Sequence, residues 1–486
     1  MAGDWLSIQA DWTTVFLFII LWYFLLISWE RRGVLDRWDS TRVFGVVLMV
    51  RTQRGKGLLE TTSKPRKFWR WYGEISLWVC WAAMAIVGLM MLAVFISALI
   101  SPPQVDPPGV SEMIALPGVN PVIPLGWGAL AFIVCLVIHE FGHGLLARGH
   151  GMRIRSFGLL MLGPIPLGAF AEPEHHELNQ APKRERQRVF AAGPATNIFA
   201  AVILLFILGA LTSQVVAAQP GVHAKGIIKE EGAELAGMLP YDTITEINGT
   251  TISDVDDFSK VMSEHKSGEV VNMTIIRQSD SSKEVLSVTL GDKHEHYMSL
   301  GWDVDDLENL GIEKGDAFLG VEGLASGTAG IDRLAGPFGT RWDGSIGYTI
   351  LATPIHVIEL LLTPFQNKGM AILPVEEAML EPADGGLASI IGLAGIIFLV
   401  NLLFWLIWVN ILLGFTNLLP MVPFDGGHIF RDVVHSFLSG ISKIKEKFGG
   451  KKFNPLWIDH AAGRVSSLSS LFLLFALLFV MISPYF

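Results

Sequence analysis

The stretch Trp127–Leu146 reads WGALAFIVCLVIHEFGHGLL. It is an apolar run of membrane-spanning character, yet His139, Glu140 and His143 sit inside it. Ionisable side chains are costly in hydrocarbon, so a cluster of them in such a run marks function. On a helix, His139 and His143 are four residues apart and share one face. That spacing lets two imidazoles bind one Zn²⁺, with Glu140 beside them as general base.

The rest of the chain fits a membrane setting. Of its 486 residues 51% are hydrophobic and only 17% charged, and the length exceeds one ordinary domain. The formal charge of −10 says little, because the charges are segregated along the chain. Cys80 and Cys135 both lie in apolar runs, which argues against a disulfide framework. No basic region precedes the first apolar run, so that run is expected to be retained rather than cleaved as a signal peptide.

Six runs have the character of spans: Thr13–Trp29, Ile75–Leu99, Leu125–Leu146, Val189–Leu211, Leu387–Leu419 and Ser466–Ile482. The first is short for about 30 Å of hydrocarbon, and the fifth is long enough to be tilted or broken. A seventh run, Ile346–Pro364, carries His356, Glu359 and two prolines. It is read as interfacial or re-entrant, because a crossing there would put the basic segment Arg431–Arg464 on the wrong side. The basic segments Arg31–Arg70, Arg148–Arg188 and Arg431–Arg464 are then all cytoplasmic, and the loop Ser101–Pro124 and the region Gln214–Gly386 lie outside. The fold class is thus a polytopic α-helical membrane protein of about six transmembrane helices with an inserted extracytoplasmic α+β domain. The expected divisions are 1–124 with spans one and two, 125–212 with the catalytic spans three and four, and 213–300 as the α+β insertion. Residues 301–386 follow as an extracytoplasmic region holding the re-entrant run, and 387–486 as span five, a basic loop and the last span.

Two His ligands and a Glu need a third protein ligand and an open coordination position. Asp425 supplies the best candidate, in the run Asn417–His428 (NLLPMVPFDGGH) at the inner end of span five. Pro420, Pro423, Gly426 and Gly427 would break a helix there, and broken backbone at membrane depth is tolerated where it lines a water-filled cavity. The charge-based topology puts Asp425 and the His pair at the same, cytoplasmic end of their spans. The cluster Glu172, Glu174, His175, His176 and Glu177 is read as a solvated loop.

With these residues in view, the chain resembles the site-2 protease family of intramembrane zinc metalloproteases. The motifs are His-Glu-x-x-His in one span and Asn-x-x-Pro-x-x-x-x-Asp-Gly in a later one, with Phe424 where the family commonly has Leu. The resemblance implies one Zn²⁺ per chain on His139, His143 and Asp425, Glu140 as the catalytic base, and cleavage of transmembrane segments of membrane proteins, with an upstream protease trimming the substrate first. Gly193-Pro194-x-x-Asn197 matches a further family element in span four. Asn197 then holds substrate backbone or the oxyanion, or makes an interhelical hydrogen bond. The segment Val222–Gly291, with its Asn248-Gly249 turn, resembles a PDZ domain, although the usual Gly-Leu-Gly-Phe loop is absent. In the family, segments such as Phe44–Val50 and Phe157–Ala171 form membrane-associated strands, whose edge could pair with an unwound substrate.

The competing reading is a metal transporter or metal-sensing membrane protein. The sequence shows no repeated half and no second set of intramembrane ligands, and that reading leaves Glu140 without a role. The partners expected are the lipid bilayer and membrane-protein substrates, with no nucleic acid. The expected setting is a prokaryotic cell membrane with the site toward the cytoplasm.

Overall fold

A computed structural model describes residues 12–53, 56–101, 109, 111–113, 115–163 and 165–485. Residues 1–11, 54–55, 102–108 of the expected outer loop, and residues 110, 114, 164 and 486 lie outside that description.

The main helices are α1 (Trp12–Arg31), α2 (Arg66–Ile100), α3 (Leu125–Gly149), α4 (Lys183–Thr212), α5 (Ile346–Gln366), α6 (Ala388–Thr416), α7 (Asp425–Lys447) and α8 (Pro455–Ile482). All but α7 are long and apolar enough to cross a membrane, which makes seven such helices rather than six. The addition is α5. It runs unbroken for 21 residues despite its prolines, as transmembrane helices often do when neighbours satisfy the freed carbonyls. Span five, long enough to be tilted or broken, departs from helical geometry near its start, where Gly392 has φ 68°.

The chain divides into two compact units, one of residues 1–205, 357–369 and 401–486, the other of 206–356 and 370–400. In the first, strands β1 (Ser40–Val43), β2 (Val47–Thr52), β3 (Ile154–Leu162) and β4 (Ile165–Pro173) form an antiparallel sheet in that order. Val50 faces Leu159, and Leu159 faces Ala169. The two broken apolar segments are therefore strands, because each is too short to span and each alternates through Gly and β-branched or aromatic residues.

Contacts within this unit fix the helix directions. Cys135 of α3 lies by Leu406 of α6, and His139, further along α3, lies by Asp425 just beyond α6. On α4 the order reverses: Asn197 meets Asn410, and Pro194 meets Gly414. Helices α3 and α6 are thus parallel, and α4 is antiparallel to both.

The second unit holds a six-stranded sheet. Strands β5 (Val222–Ile227), β6 (Thr243–Ile247), β7 (Thr250–Thr251), β8 (Val270–Ile276) and β9 (Lys283–Thr289) come from the expected insertion, and β10 (Val321–Ser326) comes from beyond it. The order is β9-β8-β6-β5-β10, with β7 on β6. Asn248 and Gly249 turn β6 into β7 with φ 49° and 80°, the positive-φ pair that a two-residue hairpin needs. Val222, Ile244, Ile247, Val271, Met273 and Ile275 form its core. Segment 301–340 has no clear periodicity, so its strand is visible only through pairing with β5.

Candidate metal centre

Helix α3 carries His139 and His143 one turn apart, as the spacing requires. Their Nε2 atoms lie 3.1 Å apart, and each is close to Oδ2 of Asp425, at 3.2 and 3.3 Å. The imidazoles are buried. Each ring is held from behind through Nδ1. His143 Nδ1 lies 2.7 Å from the Val189 carbonyl, which can only accept, so this nitrogen carries the proton. Asn197 Nδ2 donates to the Cys135 carbonyl at 3.2 Å and to Asn410 Oδ1 at 2.8 Å, which turns its Oδ1 toward His139 Nδ1 at 2.8 Å. Both rings are therefore Nδ1–H tautomers, and both Nε2 lone pairs point into the space that Asp425 borders.

Two bare nitrogens and a carboxylate oxygen so close together repel one another unless a proton or a metal cation sits among them. Bonds of 2.0–2.2 Å to a tetrahedral zinc put its ligand atoms about 3.4 Å apart. The three separations here agree with that edge, so the residues fit a zinc with one position left open. Glu140 adds a fourth polar group to the cluster, within 4.8 Å of the His ligand atoms. Its Oε2 accepts a hydrogen bond from the Ala171 amide of β4 at 2.6 Å. On the side of β4 away from β3 no strand pairs among the described residues. A cavity of about 340 Å³ runs beside Glu140, lined by Val50, Val137, Phe141, Phe157 and Phe170 among others.

Local sequence explains how these groups are brought together. A Cβ on Gly193 would fall 2.3 Å from His143 Nε2 and 2.6 Å from His139 Nε2. Only glycine lets α4 back onto the donor triangle. Asp425 opens α7 directly after the broken stretch, where Gly426 N–H donates to the Asn417 carbonyl at 2.7 Å. A Cβ on Gly426 would be 2.5 Å from the Leu418 and Leu419 carbonyls, and one on Gly427 2.5 Å from Met421. The two glycines let the loop fold over the first turn of α7 and so aim Asp425 at α3. Ion pairs tie the ends of these helices: Arg188 Nε donates to Glu74 of α2 at 2.8 Å, and Arg186 Nε to Asp432 of α7 at 2.8 Å.

The structure thus gathers His139, His143, Asp425, Glu140 and Asn197 in one place. Asn197 has all its groups engaged by protein. His428, next to the motif, stacks flat on Phe190 instead, with ring centroids 4.6 Å apart. Asn410 escaped the sequence reading, although a fully buried amide within the apolar run WLIWVNILLG is itself a signal.

Residues 127–449 match the family described as Peptidase family M50. The chain is 23% identical over 442 residues to the uncharacterized protein MJ0971 of Methanocaldococcus jannaschii, covering 89% of this chain and 90% of that one. It is 24% identical over 393 residues to the zinc metalloprotease Rip1 of Mycobacterium tuberculosis, covering 68% and 89%. It is also 24% identical over 325 residues to the putative zinc metalloprotease Cj1068 of Campylobacter jejuni, covering 60% and 78%.

The site makes specific demands on residues that touch no substrate. Gly193→Ala should abolish stoichiometric zinc in the purified protein, because the methyl group occupies the donor triangle. Asn410→Leu should weaken zinc binding about 10- to 100-fold by releasing Asn197 from its orientation, as read by competition with a chelator. Unchanged affinity in both would separate the triangle from the metal. With two thirds of its length in one family and a His-Glu-His cluster that could hold a metal ion, this helical membrane protein belongs to peptidase family M50, the site-2 proteases, and is a zinc metalloendopeptidase.

Proposed function

We propose that this enzyme cleaves the transmembrane segments of other membrane proteins, with His139, His143 and Asp425 holding the zinc and Glu140 as the base. The observation that carries the proposal is the position of Glu140, between the donor triangle on one side and the unpaired edge of β4 on the other. A zinc held there supplies Lewis-acid polarisation of a scissile carbonyl and makes a nearby water more acidic. Glu140 takes a proton from the attacking water and passes it to the leaving amine. The hydrogen bond from Ala171 leaves one carboxylate oxygen of Glu140 free for this exchange. Among the described residues no second group of three metal-binding side chains occurs, which disfavours a transit path for metal.

A peptide bond in a membrane helix is shielded by its own hydrogen bonds. A substrate must therefore be drawn out into an extended form before attack. The free edge of β4 offers main-chain partners for such a strand, and the apolar cavity beside Glu140 takes its side chains. Asn197 orients His139 through Nδ1, which fixes the tautomer that leaves Nε2 free for metal. The order β5, β6, helix Val255–Ser263, β8 and β9 supports the PDZ-like reading of the insertion, which the charge rule assigns to the outside.

The helix directions support the topology. If α3, α4 and α6 cross the bilayer, the chain leaves α4 and enters α6 on the same side. An even number of crossings must lie between them, so α5 alone cannot change side. The basic segment Arg431–Arg464 then falls on the cytoplasmic side with the donor triangle.

Two experiments test this reading. Glu140→Gln should keep full zinc occupancy and lose cleavage of a reconstituted transmembrane substrate by at least about 100-fold, the low end for a general base. Retained cleavage would remove Glu140 from the chemistry. Cysteines introduced within Asp254–His265 should react with an impermeant thiol reagent applied from outside cells, and cysteines within Lys443–Lys452 should not. Outside labelling of the latter would mean that α5 makes an unbalanced crossing.

A further inference from the structure

An open groove of about 490 Å³ lies along α8 beside Arg431 of α7, lined on α8 by Asp459, His460, Gly463, Arg464, Ser467 and Leu468. Its volume is in the range of small-ligand sites, and its walls are unusual for this protein. Most arginines near the donor site are held by acids: Arg184 and Arg188 by Glu74, Arg186 by Asp432, and Arg148 by Glu60. Arg431 and Arg464 are exposed, and neither makes an ion pair to protein among the described residues. Asp459, the one acid in the wall, is engaged by His435 Nε2 at 2.9 Å. His460, Arg464 and Ser467 follow at i, i+4 and i+7 on one face of α8. Gly463 lies between them, and a Cβ there would meet no atom within 4 Å. The groove therefore presents two uncommitted guanidinium groups, an imidazole and a hydroxyl, with Leu468 at its apolar end.

The surface beside it fits a bilayer. Phe437, Ile441, Ile444 and Phe448 repeat along one side of α7 and its end, and they are 67, 38, 59 and 85% exposed. Lys443, Lys445 and Lys447 lie among them, with Lys451 and Lys452 beyond. An apolar stripe with basic flanks is the pattern of a helix lying in the membrane interface. Helix α8 passes into its apolar half just beyond the groove.

We propose that this groove binds the phosphate headgroup of an anionic phospholipid, with Arg431 and Arg464 on the phosphate, Ser467 and His460 on the remaining headgroup oxygens, and the acyl chains leaving past Leu468. Guanidinium groups suit this ligand because they offer paired donors to phosphate oxygens. Arg431 lies six residues from Asp425 on the same helix, about 9 Å along its axis at 1.5 Å per residue. A lipid seated there steadies α7, which carries the third donor of the metal triangle. The site thus makes the protease sensitive to the lipid around it, a property separate from its catalytic groups.

The test uses the full-length protein in nanodiscs of phosphatidylcholine mixed with phosphatidylglycerol, with bound lipid read by native mass spectrometry. The wild type should retain phosphatidylglycerol in preference to phosphatidylcholine. Each arginine near an anionic surface is worth about fivefold, so Arg431→Gln with Arg464→Gln should reduce that preference about 25-fold. Gly463→Leu fills the groove without changing charge and should reduce it as well, which keeps the test decisive if the arginine variant loses its zinc and hence its fold. Lys451→Gln with Lys452→Gln removes the same charge from outside the groove and should reduce the preference by much less than the arginine pair. Full preference in the Gly463→Leu protein, or equal loss in the lysine control, would overturn the proposal. So would thermal stabilisation of the detergent-solubilised wild type by inorganic phosphate alone as strong as that by phosphatidylglycerol, since that assigns the groove to a soluble anion.

Discussion

The hydrogen bonds of Asn197 decide the geometry of everything around them. This side chain is fully buried between three apolar helices, where an unsatisfied amide would cost about 1–3 kcal/mol. It meets that constraint by joining α3 through His139 and the Cys135 carbonyl, and α6 through Asn410. One arrangement of the three helices satisfies all of these groups, and that arrangement points two imidazole lone pairs at one spot. Hydrogen bonds between membrane helices average only about 0.6 kcal/mol each, so the network is too weak to hold the helices by itself. Close packing at Gly193, Ala191, Ala192 and Ala195 supplies the cohesion. The amides select which packed state is adopted.

The rest of the site follows from that choice. With α3 and α6 parallel, the end of α6 arrives at the depth of the His pair. The chain must then turn sharply to present Asp425, which explains the prolines between α6 and α7 and the glycine pair in the first turn of α7. The same geometry leaves β4 alongside α3, where Glu140 reaches a strand edge instead of another helix. A water-dependent reaction on an extended peptide thus becomes possible inside a structure that is otherwise built to exclude water. Salt bridges from Arg186 and Arg188 close the polar end of the bundle and keep α2, α4 and α7 in step with the metal triangle.

Much of this was legible in the chain because membrane helices are a low-noise code. A histidine or glutamate in an apolar run has few reasons to be there, so His139, Glu140 and His143 are picked out by that cost, and Asp425 by the need of two His ligands for a third. Asn197 was visible, but its role was not, since sequence cannot say which partners an amide finds. Asn410 stood in an equally apolar run and was passed over, because a single neutral amide resembles ordinary interhelical bonding. The run Ile346–Pro364 is read as interfacial or re-entrant from the charge balance, and it forms one helix long and apolar enough to cross in spite of its two prolines. Proline disfavours a helix in water far more than in a packed apolar setting. Strand β10 was hidden for a different reason: its residues acquire a pattern only when β5 is beside them.

Zinc K-edge X-ray absorption on the purified enzyme tests the central claim most directly. The spectrum should show a zinc with two imidazole nitrogens at about 2.0–2.1 Å and carboxylate oxygen at about 2.0–2.2 Å, and should lose the carboxylate contribution in Asp425→Asn. A spectrum that shows a third imidazole, or one that is unchanged by Asp425→Asn, would contradict it.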